Sequence, residues 1–476
     1  MPTPGGKGYS VGQVGLWKTT CIVLVLCAAA VVASPATTTF TSLVSFDGTN
    51  GEFPEYTPLV QGLHGNLYGT TAYGGANGYG TVFKMTTGGT LTTLHSFDST
   101  DGEYPYAGLV QATNGNLYGT TSGGGANGYG TVFKMTPGGT LTTLHSFDST
   151  DGAYPYAGLV QATNGNFYGT TSGGGANGNG TVFKITPKGT LTTLYSFCAE
   201  PNCTDGATPY AELVQATNGN FYGTTEIGGA DGYGTVFKIT PKGALTTLYS
   251  FCAQLNCTDG ATPYAGLVQA TNGNFYGTTF NGGADGYGTV FRITSRGTLR
   301  TLHSFDGTDG ASPIAGLVQA TNGNFYGTTE IGRANGEGTV FEITPRGTLT
   351  TLHSFAGADG AFPFAGLAQD TDGNFYGTAY QGGTANDGTV FSLSVGLGPF
   401  VETLPTSGKV GAKVIVLGTN LTGATSVTFN GTAATFTVVG NSEITTTVPT
   451  GATTGTVEVT TPKGTLQSNV PFRVTP

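Results

Sequence analysis

One phrase recurs seven times along the chain and constrains the fold more than any other feature of the sequence. The phrase L-[VA]-Q begins at Leu59, Leu109, Leu159, Leu213, Leu267, Leu317 and Leu367. Successive copies are 50 residues apart, except for two steps of 54 that contain the segments CAEPNC and CAQLNC. Repeats of about 40 to 50 residues are typical of chains built from small supersecondary units that pack side by side. The sequence therefore predicts an array or ring of seven similar units.

Each unit divides into four short segments with the composition of β-strands. In residues 108–158 these are GLVQAT, NLYGTTS, TVFKMT and TLTTLHSF, separated by NG, a Gly-rich loop and PGG. Thr, Val, Tyr and Phe favour strands, and Asn-Gly or Pro-Gly-Gly segments form tight turns between antiparallel strands. We therefore predict an all-β fold in which each unit is one four-stranded blade of a β-propeller. The alternative is a parallel β-helix, but its parallel coils are not joined by two-residue hairpins.

The order of the strands along the chain is shifted by one strand relative to the repeated units. The first three segments occur seven times, ending with G-T-V-F at 388–391, whereas TLTTLHSF follows only six of these copies. The missing copy is TTTFTSLVSF, which lies at residues 37–46. We predict that this N-terminal strand completes the last blade and closes a ring of seven blades, so that no sheet edge stays unpaired.

The N-terminal residues have the pattern of a secretory signal peptide. Lys7 and Lys18 are the only charged residues before position 47, and the apolar segment CIVLVLCAAAVVA follows at 21–33. This segment is shorter than the roughly 20 apolar residues of a membrane span. We predict a signal peptide over residues 1–33, a secreted or cell-surface protein of a bacterial envelope, and no membrane span after cleavage. An uncleaved anchor is the alternative.

Four cysteines remain after the signal peptide, as two copies of C-x-x-x-x-C. Matched close pairs in an exported protein indicate local disulfides, so we predict the bridges Cys198–Cys203 and Cys252–Cys257. Neither loop contains a histidine that would complete a zinc site. We therefore predict no metal site and no cofactor there. Ca²⁺ binding by the D-x-x-D-G loops, such as 98–101, is an open alternative to simple Asx turns.

Charge excludes one class of partner. The chain has a formal net charge of −10 and only 9% charged residues, and no cluster of Lys or Arg follows the signal peptide. Proteins that bind nucleic acid need such clusters to neutralise phosphates. We therefore predict no nucleic-acid partner.

Departures from the repeat indicate the candidate site. Hairpin alternation places the loops after the second and fourth strands on one face, and recognition residues are common in such loops. We predict a ligand-binding site formed by Glu226, Asp231, Phe280, Asn281, Asp285, Glu330 and Arg333. A solvated surface is the alternative, and Glu226 with Glu330 could also act as acid and base in glycoside cleavage.

Two residue types recur at fixed positions of the repeat. Tyrosines precede the first strand of several units and suit either ligand stacking or packing between blades; they include Tyr106, Tyr156, Tyr210 and Tyr264. One position of the fourth strand holds His or Tyr, namely His95, His145, Tyr195, Tyr249, His303 and His353. Because Tyr replaces His there, we do not expect these histidines to be catalytic.

Two resemblances extend this interpretation. The words NGNFYGTT, GGA(N/D)GYGTVFKITP and GTLTTLHSF cover about 39–393 and resemble the GloVer tandem-repeat family of exported bacterial proteins. The words PTSGKVG, VTFNGTAA and ITTTVP lie in 399–476, which resembles an IPT/TIG domain. The first resemblance carries no defined activity, and the second implies an immunoglobulin-like β-sandwich. The expected domains are a signal peptide at 1–33, a seven-bladed propeller at 37–395 and an immunoglobulin-like domain at 399–476.

Together these features favour a non-catalytic binding scaffold. We expect a secreted or surface-displayed monomer whose propeller loops bind an extracellular ligand, either a glycan or a protein. An enzyme that acts on extracellular polysaccharide, as a hydrolase or a lyase, is one alternative. A purely structural envelope protein is the other.

Overall fold

The computed structural model of the protein describes Met1 and residues 38–56, 58–332 and 335–475. The predicted signal peptide, apart from Met1, lies outside the described residues. The described chain is all-β, and its only helical segments are three-residue 3-10 turns at Leu63–Gly65, Pro201–Cys203 and Leu255–Cys257. None of the described helices has the length and apolar character needed to span a membrane.

Twenty-eight strands form a region of repeated sheets. They are β1 (Thr39–Ser45), β2 (Val60–Gln61), β3 (Asn66–Thr71), β4 (Thr81–Thr86), β5 (Leu91–Ser96), β6 (Val110–Gln111), β7 (Leu117–Thr121), β8 (Thr131–Met135), β9 (Leu141–Ser146), β10 (Val160–Gln161), β11 (Phe167–Thr171), β12 (Thr181–Ile185), β13 (Leu191–Ser196), β14 (Val214–Gln215), β15 (Phe221–Thr225), β16 (Thr235–Ile239), β17 (Leu245–Ser250), β18 (Val268–Gln269), β19 (Phe275–Thr279), β20 (Thr289–Ile293), β21 (Leu299–Ser304), β22 (Val318–Gln319), β23 (Phe325–Thr329), β24 (Thr339–Ile343), β25 (Leu349–Ser354), β26 (Ala368–Gln369), β27 (Phe375–Ala379) and β28 (Thr389–Ser394).

These strands form seven antiparallel four-stranded sheets within the described residues. Six sheets each consist of four consecutive strands, from β2-β3-β4-β5 to β22-β23-β24-β25. The last has the order β1-β28-β27-β26, so the N-terminal strand completes it. In this sheet Phe40 of β1 pairs with Leu393 of β28. The pairing confirms the predicted offset, and the repeated sheets make the fold propeller-like.

Apolar side chains join each sheet to the next. Tyr118 of the second sheet stacks on Phe167 of the third with ring centroids 4.1 Å apart, and this contact recurs around the series. The last sheet packs against the first in the same way, because Phe46 and Tyr376 share a buried cluster with Leu67 and Phe83. The series of sheets therefore closes on itself.

The strand formed by each L-[VA]-Q segment, from β2 in the first sheet to β26 in the last, is here called the inner strand. It is only two residues long, whereas the sequence predicts a longer one. The turn begins directly after the strand, because the backbone N–H of Ala112 donates to the carbonyl of Asn116 at 2.9 Å and that of Gly115 donates to the carbonyl of Ala112 at 2.8 Å. Neighbouring inner strands are joined by a side chain. The backbone N–H of Thr113, just after the inner strand β6, donates to Oε1 of Gln161 in the next inner strand, at 3.2 Å. Equivalent bonds to Gln215, Gln269 and Gln319 continue the pattern. These bonds therefore connect each inner strand to the next through a glutamine side chain.

Repeated polar contacts on the fourth strands explain the exchange of His and Tyr. Nε2 of His95 lies 2.8 Å from Oδ2 of Asp101. In the fourth unit the hydroxyl of Tyr195 donates to Oδ2 of Asp205 at 2.7 Å. Either side chain supplies a donor to the same loop aspartate, so this position is structural.

The loops after the fourth strands hold the cysteines. The structure joins Cys198 to Cys203 and Cys252 to Cys257, which confirms both predicted disulfides. In four of the five loops without cysteines an aspartate forms an Asx turn, as where the backbone N–H of Thr100 donates to Oδ1 of Asp98 at 3.0 Å. The fifth loop has Ala356 at the same position.

Ten further strands follow the repeats. They are β29 (Val401–Leu404), β30 (Ser407–Lys409), β31 (Lys413–Gly418), β32 (Ser426–Phe429), β33 (Thr432–Ala433), β34 (Phe436–Gly440), β35 (Glu443–Thr447), β36 (Val457–Thr461), β37 (Gly464–Gln467) and β38 (Arg473–Thr475). They form two four-stranded sheets, β29-β31-β35-β34 and β33-β32-β36-β37, and a β30-β38 pair. Val416 and Ile444 of one four-stranded sheet share a buried core with Phe429 and Val457 of the other.

The C-terminal sheets contact the turns that follow the inner strands. Nδ1 of His64, after the first inner strand, lies 3.3 Å from Oε2 of Glu443. Arg473 donates to the backbone carbonyl of Thr217, after the fourth inner strand. The backbone N–H of Phe400 donates to the carbonyl of Thr371, after the last one, at 3.0 Å. The C-terminal sheets therefore lie against one end of the inner strands.

Candidate functional site

A cavity of about 730 Å³ lies between the inner strands. Every one of the seven repeated sheets contributes to its wall, from Pro58 in the first to Leu367 in the last. A volume of roughly 300–1,000 Å³ is typical of sites for small ligands. The segments that lead from the fourth-strand loops into the inner strands form most of the lining, and they hold one aromatic residue per unit in six of the units.

Aromatic side chains form an almost continuous belt around this cavity. One position of the repeat supplies its members, Tyr56, Tyr106, Tyr156, Tyr210, Tyr264 and Phe364, with Ile314 in the sixth unit. Neighbouring rings have centroids 6.4, 5.2, 5.1 and 5.5 Å apart from Tyr56 to Tyr264, and Tyr56 lies 5.8 Å from Phe364. Burial raises the pKa of Tyr56 and Tyr106 above the usual range, so both are neutral phenols. We call this set of seven residues the aromatic belt.

Three carboxylates interrupt this lining, from Glu55, Glu212 and Glu330. Burial raises the pKa of Glu55 to about 7, although a hydrogen bond with Tyr56 opposes the shift. Protein atoms surround Glu212 while its side chain stays accessible to water in the cavity, and the reduced solvation raises its pKa to about 7. Burial also raises the pKa of Glu330.

Three of the sequence-predicted residues lie at this cavity. Phe280 and Glu330 line it. Phe280 packs edge-on against Tyr264, with ring centroids 5.4 Å apart. Glu226 accepts a hydrogen bond from the Tyr264 hydroxyl at 2.6 Å, so its carboxylate holds one member of the aromatic belt.

The other predicted residues do not line the cavity or cannot be placed. Nδ2 of the exposed Asn281 donates to Oγ1 of Thr262 at 2.9 Å. Asp231 and Asp285 are exposed in the loops after the second strands. Arg333 lies outside the described residues. The ligand-binding role of all seven residues remains a prediction.

Sequence reasoning missed Glu55 and Glu212, although each departs from the repeat. Glu55 is an extra residue between Pro54 and Tyr56, because the equivalent segment of the second unit reads PYAGL without it. Glu212 stands where five other units have glycine, at Gly108, Gly158, Gly266, Gly316 and Gly366. Oε2 of Glu212 lies beside Gly158 of the neighbouring unit. A Cβ added to Gly158 would lie only 2.6 Å from this oxygen, so the absence of a side chain at Gly158 leaves room for Glu212.

The described residues contain no group of three or more His, Cys, Asp or Glu side chains placed to hold a metal ion. Lys, Arg and His are also missing from the cavity lining in the described part of the chain. The site therefore combines flat apolar surfaces, phenol hydroxyls and carboxylates.

Solved structures with a similar chain path include several enzymes. A fungal alcohol oxidase of the AA5 family, solved with copper, has a TM-score of 0.52 at 14% identity, and the match covers 89% of this chain and 98% of the oxidase. A gluconolactonase from Xanthomonas campestris has a TM-score of 0.40 at 13% identity, with 77% of this chain and 92% of that one covered. At such identities the likeness to the oxidase shows the fold alone, and the weaker one carries no argument.

Sequence comparison gives a more specific result. No curated protein is similar enough to match the chain. The sequence pattern of the Gloeobacter/Verrucomicrobia repeat, however, matches four overlapping segments, residues 30–164, 106–255, 158–318 and 250–444. These segments span most of the chain, including all seven copies of the repeated phrase. The chain therefore belongs to the Gloeobacter/Verrucomicrobia repeat family.

Proposed function

We propose that this protein is a non-catalytic binding scaffold, secreted or displayed on the cell surface, which holds part of an extracellular ligand in the cavity between its inner strands. The observation that carries the proposal is the aromatic belt, since six flat side chains from six units face one enclosed space. Aromatic rings with polar tips bind sugar faces and peptide side chains well, because they lose little conformational entropy. The ligand is a glycan or a protein.

The proposed architecture is a closed seven-bladed β-propeller over residues 37–395. The seven sheets and the cluster of Phe46, Leu67 and Tyr376 between the first and last of them support this blade count. We further propose that residues 399–476 are an IPT/TIG-type, immunoglobulin-like domain, which is supported by two antiparallel sheets around one core. That domain lies across one end of the inner strands, so the ligand enters from the loop face.

The proposed location follows from the predicted signal peptide at 1–33 and from the two disulfides. Disulfides form and persist in oxidising compartments, so Cys198–Cys203 and Cys252–Cys257 are compatible with an extracellular protein. We expect a monomer without a nucleic-acid partner.

A glycan and peptide array probed with the mature protein tests the proposal. The test variant is Tyr156→Ile, because Ile314 occupies the same position of the belt in the sixth unit. The control is Tyr154→Thr, since Tyr154 is 43% exposed, does not line the cavity and has Thr208 as its counterpart in the next unit. Loss of one aromatic contact is expected to weaken binding about 2- to 12-fold, from roughly 0.5–1.5 kcal/mol. Equal binding by both variants would contradict the proposal, and cleavage of a bound glycan would favour the hydrolase or lyase alternative.

A further inference from the structure

We propose that the group which enters the cavity is an organic ammonium cation, held by carboxylates against the aromatic belt. This inference rests on the proposed ligand-binding function and names the chemistry of its ligand. It goes beyond the binding of a neutral sugar or an uncharged peptide, which the belt alone would allow.

The first support is the balance of charge in the wall. Glu55, Glu212 and Glu330 line the cavity, and the described lining contains no Lys, Arg or His. Above pH 7, where Glu55 and Glu212 are mostly ionised, these carboxylates repel anions, because charge interactions in the cavity are less screened than in bulk water. A cation is the ligand that the wall attracts.

The second support is that one carboxylate has no partner. Glu212 has neither a hydrogen bond nor an ion pair among the described residues, and desolvation alone shifts its pKa. Its carboxylate faces the water of the cavity with no described protein group to neutralise it, so it is available to a cationic ligand. Five of the other six units have glycine at this position, so the repeat fold does not require a carboxylate there.

The third support is the aromatic belt itself. Aromatic faces attract cations through their quadrupole, and ammonium groups bind well among several rings. Tyr106, Tyr156 and Tyr210 all line the cavity, with centroids of neighbouring rings 5.2 and 5.1 Å apart, so one ligand can contact several rings. Since Tyr106 stays a neutral phenol, its ring acts as an apolar face and its hydroxyl as a hydrogen-bonding tip.

The test compares three five-carbon compounds that differ in charge. Calorimetric titration of the mature protein with 1,5-diaminopentane, 1,5-pentanediol and glutarate is expected to show binding of the diamine only. In Glu212→Gly, which introduces the residue of the neighbouring units, diamine affinity should fall at least about tenfold, the equivalent of losing 1.4 kcal/mol. The control Asp231→Asn, in an exposed loop, should leave the affinity unchanged. Melting curves of both variants will show whether each is folded.

Two further pairs of ligands, titrated in the same way, identify the source of the ammonium group. A chitosan trimer is compared with its fully N-acetylated form, and a lysine peptide with its acetyl-lysine form. In each pair, acetylation removes the positive charge of the amine. Binding that requires the free amine in either pair supports the inference and assigns the group to an amino sugar or to a lysine side chain.

The outcomes separate this inference from the proposed function. Binding of the diol or of glutarate as tightly as the diamine, or an unchanged diamine affinity in Glu212→Gly, would overturn the cation inference. If a neutral glycan on the array loses binding in Tyr156→Ile while no amine binds, the proposed function stands and the cation inference fails. Absence of any ligand in both the array and the titrations would overturn both.

Discussion

Oε1 of Gln61 accepts a hydrogen bond of 3.0 Å from the backbone N–H of Thr371, although the two residues are 310 positions apart in the chain. Nε2 of Gln61 also donates to Oγ1 of Thr371 at 2.8 Å. The same glutamine position joins consecutive sheets elsewhere, as between Thr113 and Gln161. The contact between the first and last units is therefore equivalent to the contacts within the series.

This equivalence predicts that Gln61→Ala and Gln161→Ala both lower the free energy of unfolding, by about 1 kcal/mol for each hydrogen bond between sheets that is lost. Gln61→Ala removes two such bonds and Gln161→Ala removes one. Guanidinium unfolding of both variants measures the difference. If Gln61→Ala has no effect while Gln161→Ala does, the first and last units are not joined in solution.

The N-terminal strand should make a large contribution to stability. Phe46, just after β1, is 0% exposed and lies in the cluster that joins the last sheet to the first. Phe46→Ala should lower the free energy of unfolding by roughly 3–5 kcal/mol, because it leaves a cavity in that core. Thr41→Ala, at an exposed position of the same strand, should change it by no more than about 0.5 kcal/mol. Similar melting of the two variants would argue against a structural role for this strand.

The exchange of His and Tyr on the fourth strands can be tested at one position. Tyr195→Phe removes the donor to Asp205 and should lower the free energy of unfolding by about 1 kcal/mol. Tyr195→His should recover most of this loss, because His95 reaches its own loop aspartate from the equivalent position. Chemical unfolding of the three proteins is the measurement. No loss in Tyr195→Phe would show that the hydroxyl donor is unimportant, and equal losses in both variants would show that His does not replace it.

Asp370 should make stability depend on pH. It is 2% exposed and its Oδ2 has no hydrogen-bond partner among the described residues. Burial, followed by the charge of Asp372, raises the pKa of its carboxyl from 3.8 to about 7. Because the folded state holds the proton more tightly than the unfolded state, the stability from this group is present below pH 4 and is lost as the pH rises towards 7.

Asp370→Ala tests this prediction, since five other units have alanine at the equivalent position: Ala112, Ala162, Ala216, Ala270 and Ala320. The variant should be more stable than the parent at pH 8, by about 1–3 kcal/mol, and the difference should shrink towards pH 4. Asp285→Asn, in an exposed loop, is the control. A difference that stays constant from pH 4 to pH 8 would show that the Asp370 carboxyl does not titrate as inferred.

The two disulfides should each stabilise the fold only modestly. Cys198–Cys203 and Cys252–Cys257 have sequence separations of 5, and such short loops restrict the unfolded chain less than the roughly 3 kcal/mol expected for a 15-residue loop. Melting of Cys198→Ser/Cys203→Ser against the parent measures the effect. Mass spectrometry of non-reduced peptides checks the pairing, which a cross-link between the two loops would contradict.

The strands were predictable from the sequence because their signals are local. Asn-Gly turns and alternating Val, Phe and Thr mark each hairpin. The offset of TTTFTSLVSF predicted that this strand completes the last sheet, and the structure adds the register in which Phe40 pairs with Leu393. The short length of the inner strands was not predicted, because the turn begins at Ala112, inside a segment with the composition of a strand.

The cavity was harder to predict because it depends on which position of the repeat faces inward. Tyr156 and its counterparts were recognised as candidates for stacking or packing, but only the closed series of sheets brings them together. Glu212 is a single departure from glycine, and its importance emerges only from its place in that lining. Phe280 and Glu330 were predicted because they occupy one repeat position at which neighbouring units have different residues. That position borders the same cavity.

The pairing of β1 with β28 also sets an order of events for the growing chain. The strand at Thr39–Ser45 is synthesised before every other strand, yet its partner at Thr389–Ser394 is the last of the repeats to appear. Sheets made of consecutive strands can form as local hairpins while synthesis continues, because their loops are short. The N-terminal strand must wait without a partner until the whole repeat region has emerged, so the final sheet is completed late. A chain that stalls or is cut before Thr389 would keep an unpaired strand that is available to other copies, so complete synthesis is a condition for a sheet without an open edge.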